Sequence, residues 1–426
     1  MDHFHAYQAI LSRFNEELSI KLGYPGSLLS TLHGVLNPEQ IEITASGQKI
    51  INNEVIGIMP NSLAEIHINN IGSPWKNSES YTIEIKDIEI EAIEILGHYF
   101  GLPKEVARGY ITTGGTEANL ACLWWSKLWL ARQQKKQSSP PFPKVFCSQD
   151  THYSIHKISH LMGFELGLIE SDLTGEINLI DLECKLTHHI ENNPKQSIIM
   201  VANIGTTVTG AMDDVLGIKH IFETITLSGK RLPYTIHADA ACYGMIIPVT
   251  KPFHQVTNYF TDLGVNTMTL SGHKFLGTNI LGIPLTTEPF LREAFEKNTR
   301  IISYCGNIDD ITISGSRSGI NILWLHNTLK QLRMDHSFEL IEKMVAHNLE
   351  NAQFLYNQLV ALVGDEHVIW IKGQFNVVFP RPSVGLIKKF KLMPANDNKA
   401  VICTHINVSR DLLDEFINEY RQERAE

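Results

Sequence analysis

The chain has 426 residues, of which 43% are hydrophobic and 19% charged, and its formal net charge is −10 at pH 7. These values are ordinary for a globular protein and argue against nucleic acid or an anionic membrane as its main partner. No apolar stretch approaches the ~20 residues of a membrane span, and the N-terminus lacks the basic start and apolar core of a secretory signal. Six scattered cysteines with no Cys-x-x-Cys spacing predict reduced thiols in a cytoplasmic protein.

The first 80 residues are expected to form an N-terminal segment of loops and one helix, at Phe4–Lys21. Within a predicted large domain of residues 81–320, the sequence from Gly109 to Thr287 alternates short apolar runs with amphipathic stretches. The predicted strands are Tyr110–Thr113, Lys144–Ser148, Phe164–Ile169, Ser197–Asn203, Tyr234–Asp239, Thr267–Ser271 and Leu281–Leu285. The predicted helices are Thr116–Gln134, Ser154–Met162, Leu179–Asn192 and Asp214–Leu227. This alternation predicts a large α/β domain with a mainly parallel seven-stranded sheet covered on both faces.

The pattern changes after Ser318, where helices precede a few strands. The predicted elements are a long helical region at Asn321–Val363, strands at Val368–Ile371, Asn376–Pro380 and Val401–Ile406, and a last helix at Arg410–Glu423. This order predicts a small α+β C-terminal domain over residues 321–426.

Two polar residues near the ends of predicted strands indicate the chemistry. Asp239 ends one strand, and Lys274 follows thirty-five residues later in the small, polar run Ser271–Lys274. Pyridoxal phosphate requires such a pair, since a lysine holds its aldehyde and an acid keeps its pyridine nitrogen protonated. Each residue alone also fits an ordinary surface or strand-end position. The small Ala241 would leave room beneath the ring.

A glycine-rich turn lies between a predicted strand and a predicted helix, at Gly114–Asn119. Small residues let the backbone approach an anion, and the free N–H groups and positive dipole end of the helix face it, while Thr116 adds a hydroxyl. The turn therefore predicts a phosphate site, although the same residues also suit an ordinary helix start.

His152 follows another predicted strand, at the sheet edge where open α/β sheets bind ligands, and its ring is expected to stack on the pyridine. A second interpretation is a metal site, because His152, His156 and His160 have the i, i+4, i+8 spacing that lines one helix face. No nearby acid completes such a ligand set.

Two further residues are candidates for the site. A threonine of the run Asn203–Thr207 is placed to hydrogen-bond the phenolic oxygen of the cofactor, although the run also fits an ordinary strand-to-loop turn. Tyr304 lies in a polar stretch and is a candidate proton donor on a closing loop. An ordinary loop tyrosine is the alternative.

Together these motifs resemble the group II pyridoxal-phosphate-dependent amino-acid decarboxylases of fold type I, with bacterial histidine decarboxylases and plant serine decarboxylases as the nearest likeness. The resemblance runs from about Ile68 to Thr404. Its motifs are Ile68–Gly72, Gly109–Glu117, Asp150–Ser154, Asn203–Val208, His237–Ala240, Ser271–Lys274 and Ser314–Arg317.

The resemblance implies a role for each matching residue. Lys274 would hold the cofactor covalently, His152 would stack on its ring, Asp239 would bind the pyridinium and Thr206 the phenolic oxygen. The phosphate would be bound by Gly115, Thr116, Ser271 and His273. The resemblance also implies a homodimer with active sites at the subunit interface, to which the N-terminal segment of residues 1–80 would contribute. Tyr304 would then serve its own or the neighbouring site.

The implied reaction is decarboxylation of an L-amino acid to its amine and CO2, with histidine as the first expected substrate and serine or another small amino acid as the alternative. Another fold-type-I lyase reaction and a non-enzymatic relative that binds pyridoxal phosphate remain rivals. Three segments depart from the family pattern where substrate recognition is expected, namely Ser318 in Gly315–Gly319, the run Tyr304–Asp310 and the extra segment Asn37–Ala64.

Overall fold

The computed structural model describes residues 68–75, 84–134, 141–227, 229, 232–250, 256–295, 310–405 and 408–425, together with the backbone of three short strands between residues 41 and 56. The strands are β1 (Ile41–Ile43), β2 (Lys49–Ile51), β3 (Glu54–Ile56), β4 (Asn69–Ile71), β5 (Ala107–Gly109), β6 (Lys144–Ser148), β7 (Glu165–Ile169), β8 (Ile198–Asn203), β9 (Tyr234–Asp239), β10 (Thr267–Ser271), β11 (Gly282–Thr287), β12 (Ser316–Ser318), β13 (Ile369–Trp370), β14 (Asn376–Pro380), β15 (Met393–Pro394) and β16 (Lys399–Cys403). The α-helices are α1 (Lys86–Tyr99), α2 (Gly115–Gln133), α3 (Tyr153–Met162), α4 (Leu179–Asn192), α5 (Val215–Leu227), α6 (Gly272–Phe275), α7 (Glu288–Phe295), α8 (Gly319–Gln331), α9 (Glu339–Val363), α10 (Val384–Phe390) and α11 (Arg410–Ala425).

Seven strands form the central sheet in the order β5-β11-β10-β9-β8-β6-β7. The pairs from β10 to β7 are parallel, whereas β11 runs antiparallel to both β10 and β5. Every residue of β8 and β10 is buried, as expected for strands covered by helices on both faces. The predicted α/β class and the mainly parallel seven-stranded sheet are confirmed.

The first predicted strand, Tyr110–Thr113, is wrong, because the strand is Ala107–Gly109. The ladder ends there because the Ile111 amide donates to the buried Glu89 carboxylate of α1 and not to a neighbouring strand. Thr112 keeps a single isolated bridge, to Gly282.

The predicted long helical region Asn321–Val363 is two helices, α8 and α9. The break lies at Arg333, which takes the left-handed conformation (φ 55°), while the Met334 amide donates back to the Leu329 carbonyl. An apolar periodicity continues across such a turn, so the pattern alone did not reveal it.

The C-terminal part forms a four-stranded antiparallel sheet, β13-β14-β16-β15, covered by α9 and α11. Its third predicted strand, Val401–Ile406, in fact spans Lys399–Cys403, and the last helix extends to Ala425. Helix α8 packs against α1, and its Ile322, Leu325 and Leu329 belong to the core of the large domain. The three predicted domain limits stay predictions.

The extra segment Asn37–Ala64 contains strands β1, β2 and β3, which pair as an antiparallel sheet. The predicted helix Phe4–Lys21 and the candidate donor Tyr304 lie outside the described residues. No helix in the described part of the chain is both long and apolar enough to cross a membrane.

Candidate active site

The carboxyl ends of neighbouring parallel strands converge on one cavity of about 430 Å³, within the range typical of small-molecule sites. All nine sequence-predicted residues that the structure describes line this cavity. They are Gly115, Thr116, His152, Thr206, Asp239, Ala241, Ser271, His273 and Lys274. The chain thus brings together residues from four strand ends and from the start of α2.

Asp239 is the last residue of β9 and is only 7% exposed. One carboxylate oxygen accepts from Asn119 Nδ2 at 2.9 Å, and the other accepts from the Ala241 amide at 3.3 Å. Asn119 in turn bonds the buried His237 ring through Oδ1 at 3.0 Å. Burial lowers the pKa of His237 to about 4, so its ring is neutral at physiological pH. These contacts hold the acid in one orientation in the cavity.

Lys274 lies in the short helix α6, which starts directly after β10 ends at Ser271. Its Nζ donates to the Cys242 sulfur at 3.1 Å. Because β9 and β10 are adjacent and parallel, their C-terminal ends place the amine and the Asp239 carboxylate in the same cavity.

Helix α2 begins at Gly115 beside this lysine-bearing turn. The approach is close, since a Cβ at Gly115 would lie 2.8 Å from Ser271 Oγ and would force the serine hydroxyl to move. The backbone and the serine hydroxyl therefore form a close cradle at a helix N-terminus, the environment that binds phosphate. Glu117, in the first turn, accepts from Thr113 and Ser314 and ties this helix start to a distant loop.

His152 is the N-cap of α3, and its Nδ1 accepts from the Ser154 amide at 3.3 Å. Burial lowers the pKa of this imidazole, so the ring is neutral at physiological pH with its proton on Nε2. His156 and His160 lie further along α3, and among the described residues no group of three or more His, Cys, Asp or Glu side chains is placed to hold a metal ion.

Thr206 follows β8 and is buried in a turn. Its hydroxyl contacts Thr209 Oγ1 at 2.9 Å and accepts from the Ala211 amide at 3.1 Å. The turn therefore fixes the orientation of the Thr206 hydroxyl. The predicted bond to a cofactor oxygen stays a prediction.

Other cavity residues were not assigned from the sequence. Asn119 was part of the glycine-rich motif but had no assigned role, although it lies about one helical turn after Gly115 on the same side of α2. Asn376, Met393, Cys403 and His405 come from the C-terminal part and line the cavity from the other side. Nothing in their local sequence signals a site.

Asp213 supports the cavity wall from behind. Its buried carboxyl accepts from the Asn203 amide at 2.6 Å and from Asn203 Nδ2 at 2.9 Å, and it also accepts from the Ile177 amide at 2.9 Å. Burial outweighs these hydrogen bonds and raises the pKa of Asp213 from 3.8 to about 7.

This raised pKa predicts a pH dependence of stability. The native state binds the Asp213 proton more tightly than the unfolded chain, so its contribution is fully present below pH 3.8 and is lost as the pH rises through about 7. Relative to the Asp213→Asn variant, the wild-type free energy of unfolding should fall across this window by up to about 1.4 kcal/mol per pH unit. Urea unfolding at a series of pH values measures the difference. Asp214→Asn, at the exposed neighbouring position, is the matched control, and parallel pH curves for wild type and Asp213→Asn would contradict the assignment.

Comparison with known proteins gives the family. The model of the pyridoxal-dependent decarboxylase conserved domain matches residues 48–380. The histidine decarboxylase of Pseudomonas entomophila (strain L48) is 32% identical over 357 residues, which are 83% of this chain and 80% of that protein. The histidine decarboxylase of Morganella morganii is 31% identical over 353 residues, or 83% of this chain and 85% of that protein.

Solved structures agree on the fold. The L-methionine decarboxylase from Streptomyces sp. 590 superposes with a TM-score of 0.76 at 18% identity, covering 99% of this chain and 94% of that one. The glutamate decarboxylase of Lactobacillus brevis gives a TM-score of 0.63 at 18% identity and 79% coverage of both chains. This chain belongs to the pyridoxal-dependent decarboxylase family. It is a carboxy-lyase that uses pyridoxal 5'-phosphate to decarboxylate an amino acid.

Proposed function

We propose that this enzyme removes CO2 from L-histidine and releases the corresponding amine, with Lys274 as the residue that binds the cofactor covalently. The observation that carries the assignment of the site is the meeting of the Lys274 amine and the Asp239 carboxylate in one cavity at the ends of adjacent strands. The histidine decarboxylases among its relatives support the substrate.

The residues of the cavity fit the cofactor by charge and by shape. Asp239 would bind the pyridinium nitrogen, because it is a buried carboxylate already oriented by Asn119. The phosphate would be bound at the start of α2 by Gly115, Thr116, Ser271 and His273, where the Gly115 backbone and the Ser271 hydroxyl approach closely. The remaining contacts would come from His152 over the ring, Ala241 beneath it and Thr206 at the phenolic oxygen.

The bound cofactor supplies a protonated pyridine ring that withdraws the electron pair left behind by CO2. Asp239 keeps that ring protonated through a charge-assisted hydrogen bond. The neutral His152 ring would stack on the cofactor ring. Lys274 would hold the cofactor covalently through its amine, which donates to the Cys242 sulfur inside the cavity.

The substrate and the covalent lysine are tested together. Protein loaded with cofactor is incubated with each of the twenty standard amino acids, and CO2 and the amine products are measured. We expect release from histidine. Borohydride reduction followed by peptide mapping should place the cofactor on Lys274, with Lys274→Ala as the unlabelled control.

Each outcome of that experiment has a distinct meaning. CO2 release from serine or another small amino acid alone would refute histidine as the substrate. Ser318 and the segment Asn37–Ala64 would then be the first places to test for substrate recognition. No release from any amino acid would refute the proposed reaction with these substrates. A label on a residue other than Lys274 would refute the site.

Tyr304 is proposed as the donor that protonates the substrate carbon after CO2 has left. A phenol can deliver a proton to a carbanion, and proton transfer by a positioned side chain contributes typically about two to four decades of rate. We therefore expect Tyr304→Phe to lose at least about two decades of turnover while it still binds the cofactor. Unchanged turnover would remove Tyr304 from the mechanism.

A mixture of Tyr304→Phe and Lys274→Ala subunits would test which subunit the residue serves. Neither subunit is active alone, so activity regained in the mixture requires that Tyr304 of one subunit donates to the site of the other.

We further propose that the enzyme works as a cytoplasmic homodimer with its active sites at the subunit interface. The five described cysteines are all free, which suits a reducing compartment. Sedimentation of the cofactor-loaded protein tests the dimer, and a monomer with full activity would contradict it.

A further inference from the structure

An unbroken run of hydrogen bonds joins two functional residues of the cavity, Asp239 and His152. Asn119 Nδ2 of α2 donates to Asp239 Oδ2 at 2.9 Å and to Ser154 Oγ of α3 at 3.1 Å. The Ser154 hydroxyl in turn contacts His152 Nδ1 at 2.8 Å. Asn119 is 1% exposed and Ser154 is fully buried, so bulk water does not compete for these bonds.

The Asp239 carboxylate sets the direction of this run, because an ionised carboxylate can only accept hydrogen bonds. It therefore faces the NH2 group of the Asn119 amide and not the amide oxygen. That oxygen lies 3.0 Å from Nε2 of the buried His237 ring, which must then donate to it. The neighbours on both sides thus give the Asn119 amide the same orientation.

The second hydrogen of the Asn119 NH2 group fixes the Ser154 hydroxyl. The Ser154 oxygen accepts this hydrogen, so its own single hydrogen is left for His152 Nδ1. The Ser154 amide also donates to Nδ1, at 3.3 Å. A ring nitrogen that accepts from these donors carries no proton, which places the proton of a neutral imidazole on Nε2.

Ser154 contacts His152 from behind the cavity. The His152 ring lines the cavity together with Asp239, and its described hydrogen bonds are both made by Nδ1. Ser154 itself is fully buried, and its hydroxyl is engaged by Asn119 and His152. The hydroxyl can therefore influence a ligand in the cavity only through these two neighbours.

We propose that Ser154 is a positioning residue, which holds the His152 ring in one orientation and one tautomer for the cofactor. Asn119 is the shared support, because its NH2 group orients both Asp239 and Ser154. The two side chains that would contact the cofactor ring, one at its nitrogen and one on its face, thereby keep a fixed relative position. The inference rests on the roles of His152 and Asp239 in the proposed function.

Solid-state NMR of the full chain without cofactor, labelled in its histidines, tests the contact directly. The resonances of His152 are those missing from the spectrum of His152→Ala. The protonated nitrogen of His152 should correlate with Cδ2, to which Nε2 is bonded, and the unprotonated nitrogen with Cγ. In Ser154→Ala the unprotonated nitrogen loses its hydroxyl donor, so its resonance should move downfield. An unchanged nitrogen resonance would overturn the role of Ser154.

Ser159→Ala is the matched control. Ser159 is a second buried serine of α3, only 1% exposed, and its Oγ has no hydrogen-bond partner among the described residues. Its loss should leave the His152 resonances and the affinity for the cofactor as in the wild type. A shift as large as that in Ser154→Ala would be a general effect of the helix and would overturn the assignment.

The dissociation constant of pyridoxal phosphate, measured by equilibrium dialysis, shows whether Ser154 acts through His152. Loss of one hydrogen bond should weaken binding to Ser154→Ala about fivefold. The same substitution made in His152→Ala should weaken binding no further, because the ring that Ser154 positions is gone. An equal loss in both backgrounds would be a structural effect and would overturn the proposal.

The two readouts separate this inference from the proposed function. If His152→Ala binds pyridoxal phosphate as the wild type does, His152 does not stack on the cofactor and that part of the proposed function fails. The nitrogen resonance would still show whether Ser154 holds the ring. If His152→Ala binds weakly but Ser154→Ala resembles the wild type in both readouts, the proposed function stands and only the role of Ser154 is refuted.

Discussion

We expect the Asp239→Asn variant to lose about two to four decades of turnover. The wild-type carboxylate is 7% exposed and is oriented by Asn119, so it would form a buried, charge-assisted bond to the pyridinium. Breaking a buried ion pair costs about 3–5 kcal/mol. If the whole cost is felt in the transition state, it corresponds to this loss of rate, because about 1.4 kcal/mol is one decade.

Turnover of the cofactor-loaded variant measures the loss, and its absorbance spectrum shows whether the cofactor is still held. Asp411→Asn is the matched control, since it removes an exposed carboxylate from the first turn of α11. Near-normal turnover of Asp239→Asn would refute its pairing with the pyridinium. If turnover and bound cofactor are lost together, Asp239 serves to bind the cofactor and not to keep its ring protonated. Saturating cofactor would then partly restore the turnover of the variant.

The Glu89→Gln variant should be destabilised by about 3–5 kcal/mol, because it leaves a buried guanidinium without its counter-charge. Glu89 of α1 is fully buried and pairs with Arg317 of β12, whose side chain is 3% exposed. The same carboxylate accepts from the Ile111 amide at 2.8 Å and from Asn70 Nδ2 at 2.9 Å. Arg317 Nη2 also donates to the Gly72 carbonyl at 2.7 Å.

Urea unfolding of wild type and variant measures this loss. The control is Glu339→Gln, which breaks the exposed, solvent-screened pair with Lys343 and should leave the free energy of unfolding nearly unchanged. The double variant Glu89→Gln/Arg317→Met removes both charges and should be more stable than Glu89→Gln alone. A Glu89→Gln protein as stable as the Glu339→Gln control would contradict a buried pair.

Apolar runs predicted the sheet well because a strand buried on both faces needs consecutive apolar residues. β6, β9 and β10 have the predicted bounds, and β8 differs by one residue. The pattern gave wrong bounds where a side chain from a distant segment accepts a backbone hydrogen bond in place of a neighbouring strand. Strand β5 ends where the Glu89 carboxylate accepts a hydrogen bond from the Ile111 amide. The sequence near residue 110 does not show that a carboxylate from α1 lies there.

The pairing of two motifs also required the folded chain. Ile68–Gly72 and Ser314–Arg317 were recognised separately, yet they meet as β4 and β12 with Asn70 opposite Arg317. A separation of more than two hundred residues carries no periodicity that would reveal such a contact.

The sequence by itself determined the fold class, the cofactor and the residues at the strand ends, because parallel strands bring their carboxyl ends to one edge wherever they occur along the chain. Lys274, Asp239 and His152 could be placed at one edge of the sheet for that reason. Only the tertiary structure showed how Asn119 orients the acid and that His405 and Cys403 line the same cavity as the lysine. These contacts join α2 to β9 and the C-terminal sheet to the large domain, and packing between distant elements leaves no local pattern in the chain.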